Sequence, residues 1–68
     1  MADIPKAPIA RIMKDAGADR ISEDAKDELT AYIEQVARDV TIEANKVAKI
    51  AKRKTIKADD IKLAIKNL

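Results

Sequence analysis

With 68 residues the chain forms one domain at most. A domain of this size is marginally stable unless disulfides, a metal or a partner chain support it. It contains no cysteine and no histidine, which excludes disulfides, the common zinc frameworks and the usual thiol nucleophile and general base of enzymes. The net charge is only +2, and we expect oligomerisation to supply the missing stability.

The first part of the chain predicts a short arm followed by a short helix. Residues 1–7 have no apolar periodicity and are expected to be extended. Pro8 suits the first helical turn, where its missing N–H would be unpaired anyway. Apolar residues then recur at helical spacing, at Ile9, Ile12, Met13 and Ala16. Gly17 suits a left-handed helix end, so we predict a helix over 8–16.

A long run without Gly or Pro follows, and Ser22 stands at its start as the natural N-cap. Its apolar stripe repeats every eleven residues, which fits an undistorted α-helix, through Ala25, Leu29, Ile33, Val36, Val40, Ala44, Val47 and Ala51. The predicted helix, residues 23–51, would be about 42 Å long. A compact domain of this mass is narrower, so we expect a second copy to cover the stripe. The predicted dimer core is Leu29, Ile33, Val36 and Val40.

The C-terminal part predicts a basic connection and a last short helix. The β-branched pair Thr55 and Ile56 favours two or three residues of strand. The last helix is predicted over 58–67, with apolar residues at Ile61, Ala64, Ile65 and Leu68. The fold class is therefore all-α, with short, long and short helices in one domain over residues 1–68.

The charges are sorted along the chain. Residues 19–43 carry eight acids against three bases, whereas residues 46–57 carry six bases and no acid. Such a basic block favours a polyanionic partner, although a helix C-terminus also attracts lysines.

The sequence shows no enzyme signature, because Gly17 is the only glycine and the acid pairs stand at helix starts. We predict neither catalysis, nor a cofactor, nor a metal site. A single aromatic residue, Tyr32, does not provide the stacking surface of single-strand and RNA modules. A helix-turn-helix around Gly17 would place the acids of residues 23–28 against phosphate, and a basic zipper fails because a loop interrupts the basic block. Duplex binding through loops and helix N-termini remains.

No signal-peptide pattern and no apolar run of membrane-spanning length are present, so we expect a soluble protein of the cytoplasm without a membrane partner.

Two segments together resemble the archaeal histones: residues 8–22 (PIARIMKDAGADRIS) and residues 53–61 (RKTIKADDI). The resemblance covers essentially the whole chain. It implies a histone fold, in which two chains clasp head to tail with crossed long helices. The first loop of one chain, with Ile21, would lie beside the second loop of the other, with Ile56, and the two would pair as short strands.

The resemblance also implies double-stranded DNA as partner, wrapped and compacted in nucleosome-like particles with little sequence preference. Arg20 would enter the minor groove, supported by Thr55 of the partner chain. Phosphates would be met by Arg11, Lys14, Lys54 and Lys57. Arg53 is a further DNA candidate, but an ion pair with Asp60 that fixes the second loop is an equally good interpretation. The protein would be associated with the chromosome.

Members of the family also stack dimer on dimer, which here would involve Val47, Ile50, Asp60 and Leu63. Ile50 stands where many relatives carry a histidine that bonds the acid of the neighbouring dimer, and Lys52 stands where a glycine is common. Homodimers are therefore expected, while tetramers, longer stacks and pairing with paralogous histones stay open. The alternatives are a histone-fold subunit that heterodimerises in a regulatory complex, or a helical scaffold without a nucleic-acid role.

Overall fold

The computed structural model describes residues 5–68 and contains three α-helices. They are α1 (Lys6–Asp15), α2 (Glu23–Ile50) and α3 (Ala58–Lys66). The predicted all-α class and its order of short, long and short helices are confirmed. Most of the predicted arm, residues 1–4, lies outside the described residues.

Helix α1 begins two residues earlier than the sequence suggested. Lys6 and Ala7 are helical, so Pro8 is the third residue of α1 and not the first. The structure tolerates this position because the first four N–H groups of any helix have no intrahelical partner. At their C-terminal ends all three helices stop one residue before the predicted boundary, a difference typical of fraying helix ends.

The loop between α1 and α2 is shaped by Gly17 and Ser22. Gly17 has φ +115°, and the N–H of Ala18 donates to the carbonyl of Met13 at 3.1 Å, which closes α1 with a left-handed turn. No atom lies within 4 Å of the place where a Cβ on Gly17 would stand, so the backbone angle and not space requires glycine. At the start of α2, the N–H of Ala25 donates to Ser22 Oγ at 3.1 Å.

Helix α2 ends in the same kind of turn without a glycine. Lys52 takes the left-handed position with φ +61°, and the N–H of Arg53 donates to the carbonyl of Ala48 at 2.9 Å. An L-residue with a Cβ is strained there by roughly 1–2 kcal/mol. The turn nevertheless forms, and it directs the chain into the second loop.

The chain divides into two compact units, Met1–Glu34 and Gln35–Leu68, and α2 contributes to both. Ile9 and Thr30 are the buried residues described in the first unit. In the second unit Val40, Ala44 and Ala64 form the buried cluster, against which Val36, Ile56 and Ile61 pack. A single domain over residues 1–68 remains a prediction.

The core within one chain is small. Within residues 5–68 no large side chain is fully buried, and three of the five buried apolar residues are alanines. Of the predicted dimer core, Val40 is buried, whereas Leu29, Ile33 and Val36 are only partly covered. The α2 stripe therefore keeps apolar surface that the chain itself does not cover.

The expected strand residues do not form a strand within this chain. Ile21 and Ile56 are half-buried and lie outside the helices, and residues 5–68 contain no strand. A strand needs an adjacent backbone to pair with, and the predicted neighbour is a second chain. Pairing of Ile21 with Ile56 between chains therefore stays a prediction. None of the helices in the described part of the chain is long and apolar enough to cross a membrane.

Candidate nucleic-acid interface

The second loop, residues 51–57, is held by one ion pair. Arg53 donates from Nη1 to Asp60 Oδ2 at 2.9 Å and from Nη2 to Asp60 Oδ1 at 3.0 Å. The same Nη1 donates to the carbonyl of Thr55 at 2.9 Å. A two-pronged Arg–carboxylate contact fixes direction as well as distance, so it ties the loop backbone to the first turn of α3.

Asp60 is the acceptor on which this arrangement depends. Its side chain is 4% exposed and also accepts the N–H of Lys57 at 2.8 Å. The hydrogen bonds from Arg53 and then from Lys57 lower the pKa of Asp60 to about 2. The bond to Asp60 also raises the pKa of the Arg53 guanidinium. The pair is therefore fully charged at neutral pH, and its two charges offset each other.

The neutralised pair leaves the charge of the loop on its neighbours. Lys54, Thr55 and Lys57 are exposed, and neither lysine takes part in an ion pair within residues 5–68. The guanidinium of Arg53, in contrast, is engaged inside the chain through both Nη atoms. These contacts give Arg53 a structural role, and they make Lys54 and Lys57 the more accessible cations for an anion.

The candidates of the first unit lie on α1 and in the loop that follows it. Arg11 and Lys14 are exposed and stand three residues apart on α1. Arg20 is exposed in the loop before the Ser22 cap. None of the three forms an ion pair among the described residues, so each presents a full positive charge to solvent.

An ion pair at the start of α1 was not predicted from the sequence. Lys6 Nζ contacts Asp27 Oδ1, and this bond raises the pKa of Lys6. The sequence pattern places Lys6 in the extended arm, where a partner on α2 is not expected. Lys26 pairs with Glu23 one turn away on α2, which lowers the pKa of Glu23. Two of the acids near the start of α2 are thus partly compensated.

The two groups of cations belong to different units of the chain. Arg11, Lys14 and Arg20 lie in Met1–Glu34, and the second loop lies in Gln35–Leu68. The expected contact of Arg20 with Thr55 joins two chains, so it stays a prediction. In the described part of the chain no cluster of acidic residues forms a metal site.

The predicted dimer–dimer residues differ in accessibility. Ile50 is 83% exposed and Leu63 is 45% exposed, whereas Val47 is half-buried. Asp60 lies under Arg53, and its oxygens are used by the second loop. Its carboxylate is therefore already satisfied within the chain, and the apolar residues are the available part of this set.

Known proteins with similar sequences place the chain in a class. The family model described as histone-like transcription factor (CBF/NF-Y) and archaeal histone matches residues 2–65. The short, long and short helices agree with the histone fold that defines this class. The chain belongs to this family, on its archaeal histone side, as its relatives indicate. The proteins of this branch are DNA-binding architectural proteins and are not known as enzymes.

Relatives from two archaea cover nearly the whole chain. It is 48% identical over 66 residues to the archaeal histone HAN1 of Thermococcus zilligii, with 97% of this chain and 98% of the relative covered. It is 42% identical over 66 residues, with the same coverage, to the probable archaeal histone 3 of Methanocaldococcus jannaschii. It is also 44% identical to the DNA-binding protein HmvA of the latter organism, over 87% of this chain and 62% of that protein.

Proposed function

We propose that this chain is a homodimeric architectural protein that wraps and compacts double-stranded DNA in nucleosome-like particles with little sequence preference. The observation that carries the proposal is the second loop, in which the Arg53–Asp60 pair fixes the backbone and leaves Lys54 and Lys57 exposed. A rigid loop with cations on its outer side suits the regularly spaced phosphates of a duplex.

The proposed contacts address the DNA backbone and its minor groove. Lys54 and Lys57, with Arg11 and Lys14 of α1, meet phosphates. Arg20 enters the minor groove beside Thr55 of the partner chain. Minor-groove arginines respond to groove width and not to base identity, which allows a duplex to be bent without a sequence code. The absence of ion pairs at these exposed cations within residues 5–68 supports this assignment.

The homodimer follows from what one chain leaves uncovered. Helix α2 has 28 residues and an apolar stripe that the chain covers only in part. The buried cluster of the second unit is built around Val40 and two alanines, which is little apolar burial for a stable domain. Crossing the stripes of two copies buries Leu29, Ile33 and Val36 and places the first loop of each copy beside the second loop of the other.

Salt-dependent binding to a random-sequence duplex tests the proposal. If the dimer contacts six to ten phosphates, log K against log salt falls with a slope of roughly −5 to −9. Competitor duplexes of different sequence should bind within a few-fold of one another. A slope near zero, or a preference of several kcal/mol for one sequence, contradicts the proposal. The protein is proposed to reside in the cytoplasm on the chromosome.

A second candidate is a histone-fold subunit that heterodimerises in a regulatory complex. The matched family description includes histone-like transcription factors as well as archaeal histones, which favours keeping this candidate. Mixing and mass measurements distinguish the two. The homodimer proposal expects the pure protein to be a folded dimer that binds DNA, whereas an obligate heterodimer partner would be poorly folded alone. Tetramers and longer stacks on DNA are proposed only as assemblies of such dimers.

A further inference from the structure

The second unit carries exposed apolar residues beside an excess of positive charge. Ile50 on α2 and Leu63 on α3 are both exposed, although they are large and apolar. Ile50 has Lys46 one turn before it, and Leu63 has Lys66 one turn after it, with Lys62 directly adjacent in sequence. We call Ile50, Leu63, Lys62 and Lys66 the cationic apolar set.

The charge of this unit is strongly unbalanced. Residues 35–68 contain nine bases and four acids, a net charge of +5, whereas residues 1–34 contain five bases and eight acids, a net charge of −3. Of the four acids, Asp60 is bound by Arg53 and Glu43 by Lys46. Lys62 and Lys66 have no ion pair among the described residues, so nothing in the described structure compensates them locally.

A symmetric contact between two copies of this set would be unfavourable. An isologous interface places the same patch on both sides, so the lysines of one copy would meet those of the other. Like charges brought together at an interface oppose association, whereas opposite charges favour it and select the partner. The exposed apolar residues favour coverage, and the lysines oppose coverage by an identical face.

We propose that the cationic apolar set is a docking surface for an unlike chain, whose apolar helical face is bordered by carboxylates. On this account a dimer of this protein stacks on a different, acidic-faced histone-fold dimer and not on its own copy. The inference rests on the proposed function only for the dimer itself. It adds that this chain is the cationic member of a mixed assembly.

An acidic-faced version of the same chain is a direct probe. The probe carries Lys62→Glu and Lys66→Glu, is checked for native helix content, and is mixed with wild-type protein at low salt. Sedimentation and native mass spectrometry with one isotopically labelled component then report the assemblies. We expect wild-type protein alone to remain dimeric and the mixture to form mixed tetramers, with an affinity at least about tenfold higher than for wild type alone. Added salt should weaken the mixed tetramers.

Three variants sharpen the result. Lys66→Glu alone should also promote mixed assembly, whereas Arg38→Glu, an equal charge change at an exposed position in the middle of α2, should not. Ile50→Ser in both components should abolish mixed tetramers, because it removes the apolar surface on which they depend. Neutralisation by Lys62→Gln and Lys66→Gln should strengthen self-association and leave the salt dependence of DNA binding unchanged.

Several results would overturn the inference. Wild-type protein that forms tetramers as readily alone as with the probe would show that its lysines do not oppose a second copy. A mixture that stays dimeric would show that charge does not direct assembly there. A shallower DNA salt slope for the glutamine variant would place these lysines on DNA. Monomeric wild-type protein would instead contradict the homodimer of the proposed function, which the mass measurement distinguishes.

Discussion

Arg53 and Asp60 lie seven residues apart in sequence and join through two parallel hydrogen bonds of 2.9 and 3.0 Å. One residue belongs to the loop after α2, and the other to the first turn of α3. The third bond, from Lys57 N–H to Asp60 at 2.8 Å, closes the loop on itself. The pair therefore converts a charged loop into a fixed surface, on which Lys54 and Lys57 are held outward.

The acid sensitivity of the protein should follow the titration of Asp60. Its folded pKa of about 2 lies below the ordinary value of 3.8, so the ionised form stabilises the native state. This contribution is complete above about pH 4–5 and is lost as the pH falls through about 2. Urea unfolding of wild type and Asp60→Asn across this range should show a stability difference at neutral pH that shrinks towards pH 2. Asp59→Asn, at an exposed neighbour, is the control, and equal curves for Asp60→Asn and wild type would contradict the account.

Replacing Lys52 by glycine should stabilise the fold. Lys52 occupies a left-handed position with φ +61°, which glycine adopts without steric cost. We expect Lys52→Gly to raise the free energy of unfolding by about 1 kcal/mol, after allowance for the greater entropy of glycine in the unfolded chain. Lys52→Ala, which removes the charge but keeps a Cβ, should not give this gain. A similar gain for alanine would assign the effect to charge and not to backbone strain.

Thr30 should tolerate, and benefit from, the loss of its hydroxyl. The residue is buried, and its Oγ1 has no hydrogen-bond partner. Thr30→Val keeps the shape and removes an unsatisfied polar atom, so we expect about 1 kcal/mol of stabilisation in chemical unfolding. The control is Thr41→Val, since the Thr41 hydroxyl donates to the carbonyl of Ala37 at 2.7 Å. Destabilisation by Thr30→Val would indicate that the hydroxyl finds a partner in the assembled protein.

Substitutions in the loops should separate DNA contacts from the scaffold. Lys54→Ala should make the slope of log K against log salt less steep by about 1 for each phosphate that is no longer bound, or about 2 per dimer. Arg20→Ala should weaken binding as well, and both variants should keep wild-type helix content and melting temperature. Arg38→Ala, at an exposed position on α2 outside both loops, should bind normally. Unfolding of the Lys54 or Arg20 variant would mean that these residues belong to the scaffold.

The local signals in the sequence were informative where a single residue type answers a single need. Ser22 was expected to cap α2, and Gly17 to end α1, and the structure has both features. The start of α1 at Lys6 was missed because Pro8 was taken as the first helical residue, although any of the first four positions accepts a proline. Lys52 in a left-handed turn was not expected, since a lysine carries no sign of that conformation.

Other features depend on geometry that one sequence does not encode legibly. The unsatisfied hydroxyl of Thr30 depends on its rotamer and neighbours, and threonine is ordinary on a helix face. The ion pair of Lys6 with Asp27 joins residues 21 positions apart, without a shared periodicity. The predicted roles of Arg20 and Thr55 involve two copies, so their contact depends on packing between chains.

The central claim is that one copy does not complete its own fold, and the dependence of stability on concentration tests it most directly. Thermal unfolding followed by far-UV circular dichroism at two protein concentrations about a hundredfold apart provides the measurement. For a dimer that unfolds to two free chains, the melting temperature rises with concentration, and sedimentation of the dilute sample gives twice the chain mass. A concentration-independent transition with full helix content and the mass of a single chain would contradict the account.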